Sequence, residues 1–289
     1  MGKVDAADKT ATTKAMEYYF DKEIRLYEDK YSKEFVSTGN RILLSMLKFK
    51  PLFNLMVNYM EKLVPGVYGG LACRMHYMDY ITKQCVSEGF EAVINLGAGF
   101  DTRPFRIDEL NDIPYYIMDL PETIDSYKET VNKKSLPLPK SVKLVPIDFN
   151  SQSVEKRLKE SGYIKTKKTL FIWEGVTQYI TRKAIDSTLE FVAKTSKGSR
   201  IAFSYVLSEA IEHPEKFPSI AKTFEKIKNM QTPWISGFKR EEIESFLSDF
   251  GLKLVDDIGR DYHIEKILKP LNRELEVMNI ERIVLAEKI

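Results

Sequence analysis

Glu91–Arg103 reads EAVINLGAGFDTR, and the rest of the chain is organised around it. Ala92, Val93, Ile94 and Leu96 form a short apolar run of the kind that makes a buried strand. The run ends abruptly in Gly97-Ala98-Gly99. A strand emptying into a glycine turn is the usual seat of a nucleotide-like ligand in an open α/β sheet. Glycine lets the backbone turn tightly and lets a ligand approach where a Cβ would clash. Gly-x-Gly alone also occurs in plain strand-to-helix turns, so the neighbouring residues must decide. A complete dinucleotide fingerprint wants a third glycine near position 102, where this chain has Thr102.

Composition bounds what the turn can belong to. The 289 residues suffice for one large domain, or for a domain with a cap. Hydrophobic residues at 43% and charged residues at 30% are ordinary for a globular protein. A net charge of +2 gives no overall argument for nucleic acid or an anionic membrane. Cys73 and Cys85 form neither a disulfide framework nor a zinc pattern, which suits a reducing cytoplasm. MGKVDAADKTATTK lacks an apolar secretory core, and Ala6 stands where myristoylation would want Ser or Thr. Residues 1–13 are expected to be a flexible tail, and 14–289 a single domain.

Residues 14–88 read as a helical cap. Ala15 to Phe20 opens one helix, and Ile42, Leu43, Leu44, Met46 and Leu47 form an apolar stripe. Leu52, Phe53, Leu55, Met56 and Val57 form another, separated from the first by Lys48, Lys50 and Pro51. None of these runs approaches the ~20 apolar residues of a membrane span. Packing on the body explains them; an amphipathic surface meeting a lipid or greasy acceptor is the alternative. Beyond the glycine turn, Tyr115–Met118 reads as a strand ending at Asp119. A carboxylate there can accept from both hydroxyls of a ribose, although an Asp before Pro121 can also cap a helix. Val142–Ile147 is a third strand, ending at Asp148-Phe149. Leu170–Ile172 is a fourth, running into Trp173-Glu174-Gly175-Val176-Thr177-Gln178-Tyr179-Ile180-Thr181. A helix over 182–196, a strand over 201–205, an insertion over 205–240 and a final strand over 282–286 complete the reading.

Two strings carry a resemblance. NLGAGFDTRPFR and WEGVTQYIT resemble the leucine carboxyl methyltransferase family of S-adenosyl-L-methionine-dependent O-methyltransferases. AMEYYFDKEIRLYEDKYS and TPWISGFKREEIESFLSDFGLKLVDDIG look like the same relatives. The resemblance implies an α/β fold: a Rossmann-like seven-stranded class I methyltransferase sheet whose last strand is antiparallel. It implies an N-terminal helical cap and a lid insertion after strand five. It assigns cofactor contacts to Arg74 and Glu174 at the methionine part, to Gly97, Gly99 and Asp119, and to Asp148 and Phe149 at the adenine. Relatives often carry a second arginine where this chain has His76. Tyr179 would border the acceptor pocket.

Methyl transfer from a sulfonium is an in-line displacement, so alignment can supply most of the catalysis. A carboxylate acceptor needs no base, whereas a hydroxyl gains from one. The weak candidates for a catalytic group are Tyr179, His213 and His263. No His/Cys/Asp/Glu set suggests a metal. Tyr179 and Lys183 match the Tyr-x-x-x-Lys of short-chain dehydrogenases by chance spacing, since the glycine fingerprint differs. The expected function is methylation of a carboxylate or hydroxyl on a small-molecule or peptide acceptor. The alternatives are an NAD-dependent oxidoreductase and a non-catalytic cofactor-binding regulator. The acceptor and the oligomeric state stay open.

Overall fold

The apolar run after Glu91 is strand β1 (Ala92–Leu96), buried along its whole length. In the computed structural model, which describes residues 3–217, 221 and 233–289, it is the third strand of a seven-stranded sheet. The other strands are β2 (Tyr115–Asp119), β3 (Val142–Pro146), β4 (Thr169–Trp173), β5 (Arg200–Val206), β6 (Leu252–Ile258) and β7 (Glu281–Lys288). Their order is β3-β2-β1-β4-β5-β7-β6. The pairs from β3 across to β5 are parallel, and β7 runs antiparallel to both β5 and β6. The closing antiparallel pair expected from the sequence is therefore present.

Strands covered on both faces need apolar side chains on both, which is why β1 and β4 read as unbroken apolar runs. Val93, Ile117, Leu170 and Ile172 face one core; Ile94, Leu96, Met118, Phe171 and Trp173 face the other. The first core is shared with the N-terminal helices α1 (Lys3–Met16), α2 (Thr38–Met46), α3 (Lys50–Leu63) and α4 (Val67–Ser87). Then come the short α5 (Arg103–Arg106), α6 (Pro121–Lys134), α7 (Val154–Glu160) and α8 (Arg182–Ala193).

The N-terminus departs from the expectation. Residues 1–13 were expected to be a flexible tail, yet Lys3–Met16 is a helix that ends, rather than begins, near Ala15. Val4, Ala7, Ala11 and Ala15 recur at helical spacing, and Ala11 and Ala15 are buried. An alanine stripe is too weakly apolar to stand out in a sequence, but it lets a helix lie close against its support. Asp8 then fastens the next helix, accepting from Ser37 N at 2.7 Å and from Asn40 Nδ2 at 2.8 Å. Glu17, fully buried, accepts from Leu26 N and Tyr68 Oη, both at 2.7 Å, and pairs with Arg273. These bonds stop α1 and fold the following segment back on the body.

The helix expected over 182–196 ends at Ala193, where Thr195 Oγ1 bonds back to Val192 O. Of the lid expected over 205–240, residues 218–220 and 222–232 lie outside the described residues; the described part holds two short helical turns, Ser208–Glu212 and Pro214–Lys216. No described helix is long and apolar enough to cross a membrane.

Candidate active site

The chain leaves β1, builds β2 and β3 on one side, then returns to place β4 on the other side of β1. The carboxyl ends of β1 and β4 therefore flank a topological switch point, where open α/β sheets bind ligands. Gly97 follows β1 there and Glu174 follows β4. Gly97 and Gly99 both take left-handed backbone angles, φ 69° and 55°. A Cβ on Gly97 would lie 2.4 Å from Cγ2 of Val176, so the glycine lets the two loops close on each other. Gly97 N and Ala98 N both donate to Met118 O at the end of β2.

Asp119 ends β2 and is tied to the glycine turn. Its Oδ2 accepts from Gly99 N at 2.6 Å and its Oδ1 from Leu120 N at 2.7 Å. Leu120 occupies the cap position of α6, and Asp119 reaches the start of that helix through Leu120 N and the Thr123 side chain. Burial raises the Asp119 carboxyl above its ordinary value, and the two backbone donors offset part of that rise. Thr102, standing where a dinucleotide site would want glycine, is buried and donates to Asp29 Oδ2 at 2.6 Å.

Glu174 ends β4 inside a ladder of charges. Arg103 Nη2 donates to its Oε2 at 2.8 Å, and Arg74 Nε to its Oε1 at 3.2 Å. Arg103 also reaches Asp79 at 2.8 Å and Asp101 at 3.3 Å. Arg74 Nη1 pairs with Glu281 at the start of β7. Burial alone would raise the Glu174 carboxyl, but Lys14, Arg103 and Arg74 together hold it well below the usual carboxylate range. Lys14, near the end of α1, is only 6% exposed. Its ammonium makes no hydrogen bond or ion pair among the described residues; burial lowers its pKa, against the pull of Glu174. Arg74 Nη2, beside Gly175, likewise has no recorded partner among them. The ladder thus holds, beside Glu174, two cationic donors not committed to an acceptor among the described residues.

The structure distributes the other sequence candidates unevenly. Asp148 follows β3 as expected, but its carboxylate closes the next turn, accepting from Asn150 N and Ser151 Oγ at 3.0 Å each. Phe149 lies against Trp173, ring centroids 6.4 Å apart, and nothing among the described residues accepts from its N–H. Tyr179 is 41% exposed on a single turn after β4. His213 is exposed and sits 3.3 Å from Glu215, which places it in solvent rather than in a site. His263 is buried with its Nδ1 unpartnered; burial, helped by Arg74, holds its pKa down at about 4. His76, in place of a second arginine, donates from Nδ1 to Leu26 O at 2.6 Å. Among the described residues no group of three or more His, Cys, Asp or Glu could hold a metal. Lys14, Asp79, Asp101 and Glu281 are contributors that sequence reasoning passed over.

Beside Arg282, a cavity of about 590 Å3 opens between β6, β7 and the segment before β7. Arg240, Arg260, Arg282, Asp257 and Tyr262 line it. Arg282 is spent on Asp257, with Nε at 2.9 Å. Arg260 is held only loosely, its carboxylate neighbours being 3.6 and 3.7 Å away.

Comparison with known proteins bears on the family and the fold. YktD of Bacillus subtilis (strain 168), named as an S-adenosyl-L-methionine-dependent methyltransferase, is 28% identical over 199 residues, 65% of this chain and 62% of its own. A protein of the same description from Mycobacterium marinum (strain ATCC BAA-535 / M) is 26% identical over 133 residues, 46% of this chain and 42% of its own. The chain therefore spans between 42% and 62% of the length of these relatives. A solved DUF574 family protein from Streptomyces avermitilis superposes with a TM-score of 0.58 at 15% identity, covering 83% of this chain and 91% of that one. A structure described as a methyltransferase from Thermobifida fusca gives 0.54 at 14% identity, covering 89% and 92%. These two likenesses speak for the fold. The family model described as leucine carboxyl methyltransferase matches residues 7–193, a span that takes in α1, the glycine turn and the Trp173-Glu174-Gly175-Val176 string. The chain belongs to the leucine carboxyl methyltransferase family.

Proposed function

We propose that the chain is an S-adenosyl-L-methionine-dependent O-methyltransferase acting on a carboxylate of a small-molecule or peptide acceptor. The observation that carries this reading is the charge arrangement at the switch point. Glu174 is kept ionised, and Lys14 and Arg74 Nη2 are left without protein acceptors among the described residues. A zwitterionic amino acid end fits that arrangement. Its carboxylate would meet Lys14 and the free edge of Arg74, and its ammonium would meet Glu174. Asp119, pinned by Gly99 N and Leu120 N, keeps lone pairs for a ribose diol. Asp148, the unpaired N–H of Phe149 and the Phe149 ring would face the adenine.

When bound, S-adenosyl-L-methionine supplies a sulfonium methyl to an in-line nucleophile. The work left to the chain is to hold donor and acceptor in register and to exclude water. A carboxylate acceptor is favoured over a hydroxyl because no candidate base suits pH 7. His263, held at about 4, is too weakly basic to take a hydroxyl proton effectively. His213 and Tyr179 are solvent-exposed. A cytoplasmic setting is part of the proposal: Cys73 and Cys85 are free and buried, with thiols pushed up by burial to about 12 and about 11.

Calorimetry tests the donor site. S-adenosylhomocysteine should bind, and Asp119→Ala and Glu174→Gln should each weaken it tenfold or more, by roughly the worth of a charge-assisted hydrogen bond. Binding of NAD instead would overturn the reading. Alkali treatment of methylated product separates the acceptors, since an ester releases methanol and an ether does not.

A further inference from the structure

We infer that the α2–α3 hairpin docks the protein on an anionic lipid surface. The hairpin is apolar on both sides. Inward, Leu44, Leu47 and Phe53 are buried in the shared core. Outward, Ile42 and Met46 lie one turn apart on α2, and Leu55 and Tyr59 one turn apart on α3, with Phe49 at the bend between the helices. Their exposures are 60%, 52%, 64%, 57% and 67% respectively. The exposed side of the hairpin also carries Asn54, Asn58 and Lys62, yet five large apolar side chains stand out on it and nothing described covers them.

The charges say what would cover it. Residues 38–63 hold four cations, Arg41, Lys48, Lys50 and Lys62, against one carboxylate, Glu61; Arg41 is turned inward, donating to Glu34 O and Val36 O, which leaves the three lysines for the outer side. Glu61 is turned inward, accepting from Gly66 N at 2.8 Å. Lys48 and Lys50 flank the most exposed aromatic, Phe49; Lys50 reaches Asp21 at 2.6 Å in an exposed pair that a lipid phosphate could replace. Lysine is depleted from protein–protein interface cores, which weighs against a second protein as the cover. An aromatic and aliphatic face rimmed by lysines suits the boundary between headgroups and acyl chains. There the rings and branched chains enter the lipid, and the lysine stems bend back to the phosphates. The chain's net charge of +2 hides this, because the excess is local. The proposal is interfacial: the two helices lie on a leaflet and do not cross it.

The test is co-sedimentation of the full chain with vesicles of phosphatidylcholine alone and of phosphatidylcholine mixed with phosphatidylglycerol. Binding is expected to the mixed vesicles and to weaken as salt rises. The double variant Lys48→Glu/Lys50→Glu should lower it by about tenfold or more. Phe49→Glu should also lower it, with the melting temperature retained because these side chains are exposed. Phe49→Trp gives a second readout, an emission shift to the blue on adding mixed vesicles only. Equal binding to both vesicle types, or binding indifferent to the lysine and Phe49 variants, overturns the proposal. So does a lipid-free dimer in velocity sedimentation that Leu55→Glu/Tyr59→Glu disperses, since a second copy would then be the cover.

Discussion

Replacing Arg103 with methionine removes the centre of the charge ladder while keeping much of its bulk. Arg103 is 1% exposed and serves Asp79 at 2.8 Å, Asp101 at 3.3 Å and Glu174 at 2.8 Å. Each carboxylate keeps some relief: Arg106 stays with Asp79, Asn95 and Tyr115 with Asp101, and Arg74 with Glu174. The three losses therefore do not add as independent pairs. Breaking one buried pair costs about 3–5 kcal/mol, and that is the expected destabilisation. In a chain of this size it should lower the melting temperature by roughly 10 °C. The pH dependence is the sharper test. Arg103 helps hold the carboxyls of Asp79 and Glu174 below their ordinary values against burial. Without it their folded-state values rise, so the folded variant takes up protons more readily than the folded wild type. The deficit should be largest near neutrality and shrink as pH falls through the ordinary carboxylate range of about 4 toward the lowered wild-type values. Urea unfolding of both proteins across that range measures it. A deficit under about 1 kcal/mol, or one that does not change with pH, would refute the ladder as a coupled unit.

Further outcomes follow from single contacts. Gly97→Ala should cost about 2–4 kcal/mol in thermal melts, because φ is 69° and the new Cβ meets Val176 at 2.4 Å; equal damage at Gly99, where Ala7 Cβ is 3.8 Å away, would argue against the clash. Lys14→Met should weaken S-adenosylhomocysteine binding about tenfold or more in calorimetry; unchanged binding with only a lowered melting temperature would make it a structural lysine that serves Glu174 alone. His263 titrates at about 4 in the folded chain, below the unfolded 6.5, so the unfolded chain binds the proton first and stability falls as pH drops between those values. His263→Gln should remove up to about 3 kcal/mol of that decline, and parallel urea midpoints for both proteins would contradict it.

The sheet and the switch point were legible because they depend on short local patterns. Ala92–Leu96 and Leu170–Ile172 are apolar without interruption because both sheet faces are covered, and the acids stand immediately after their strands. The ladder was not legible, since its partners lie far apart in the chain: Arg103 meets residues 79 and 174, and Arg74 meets 281. Lys14 gave no signal at all, being one lysine in a stretch of alanine and threonine. The histidines could not be ranked by type alone, and only burial separates His263 from His213. The turn at Asp148 could have been read better. Asp-Phe-Asn-Ser is rich in residues that bond their own backbone, and the carboxylate does close that turn.

The first helix lies across the glycine turn, with Ala7 against Gly99 and Lys14 buried within reach of the Glu174 charge. Part of the wall around the proposed donor site is thus a segment held at one end of its neighbours, by an alanine stripe and by Asp8. Such a wall ties turnover to fraying: spent donor could leave at the rate at which this helix lifts, whatever the speed of the chemistry. By linkage, a bound donor would protect the backbone amides of residues 7–16 from hydrogen exchange more than those of any strand. Product release and N-terminal order would then be one event seen by two probes.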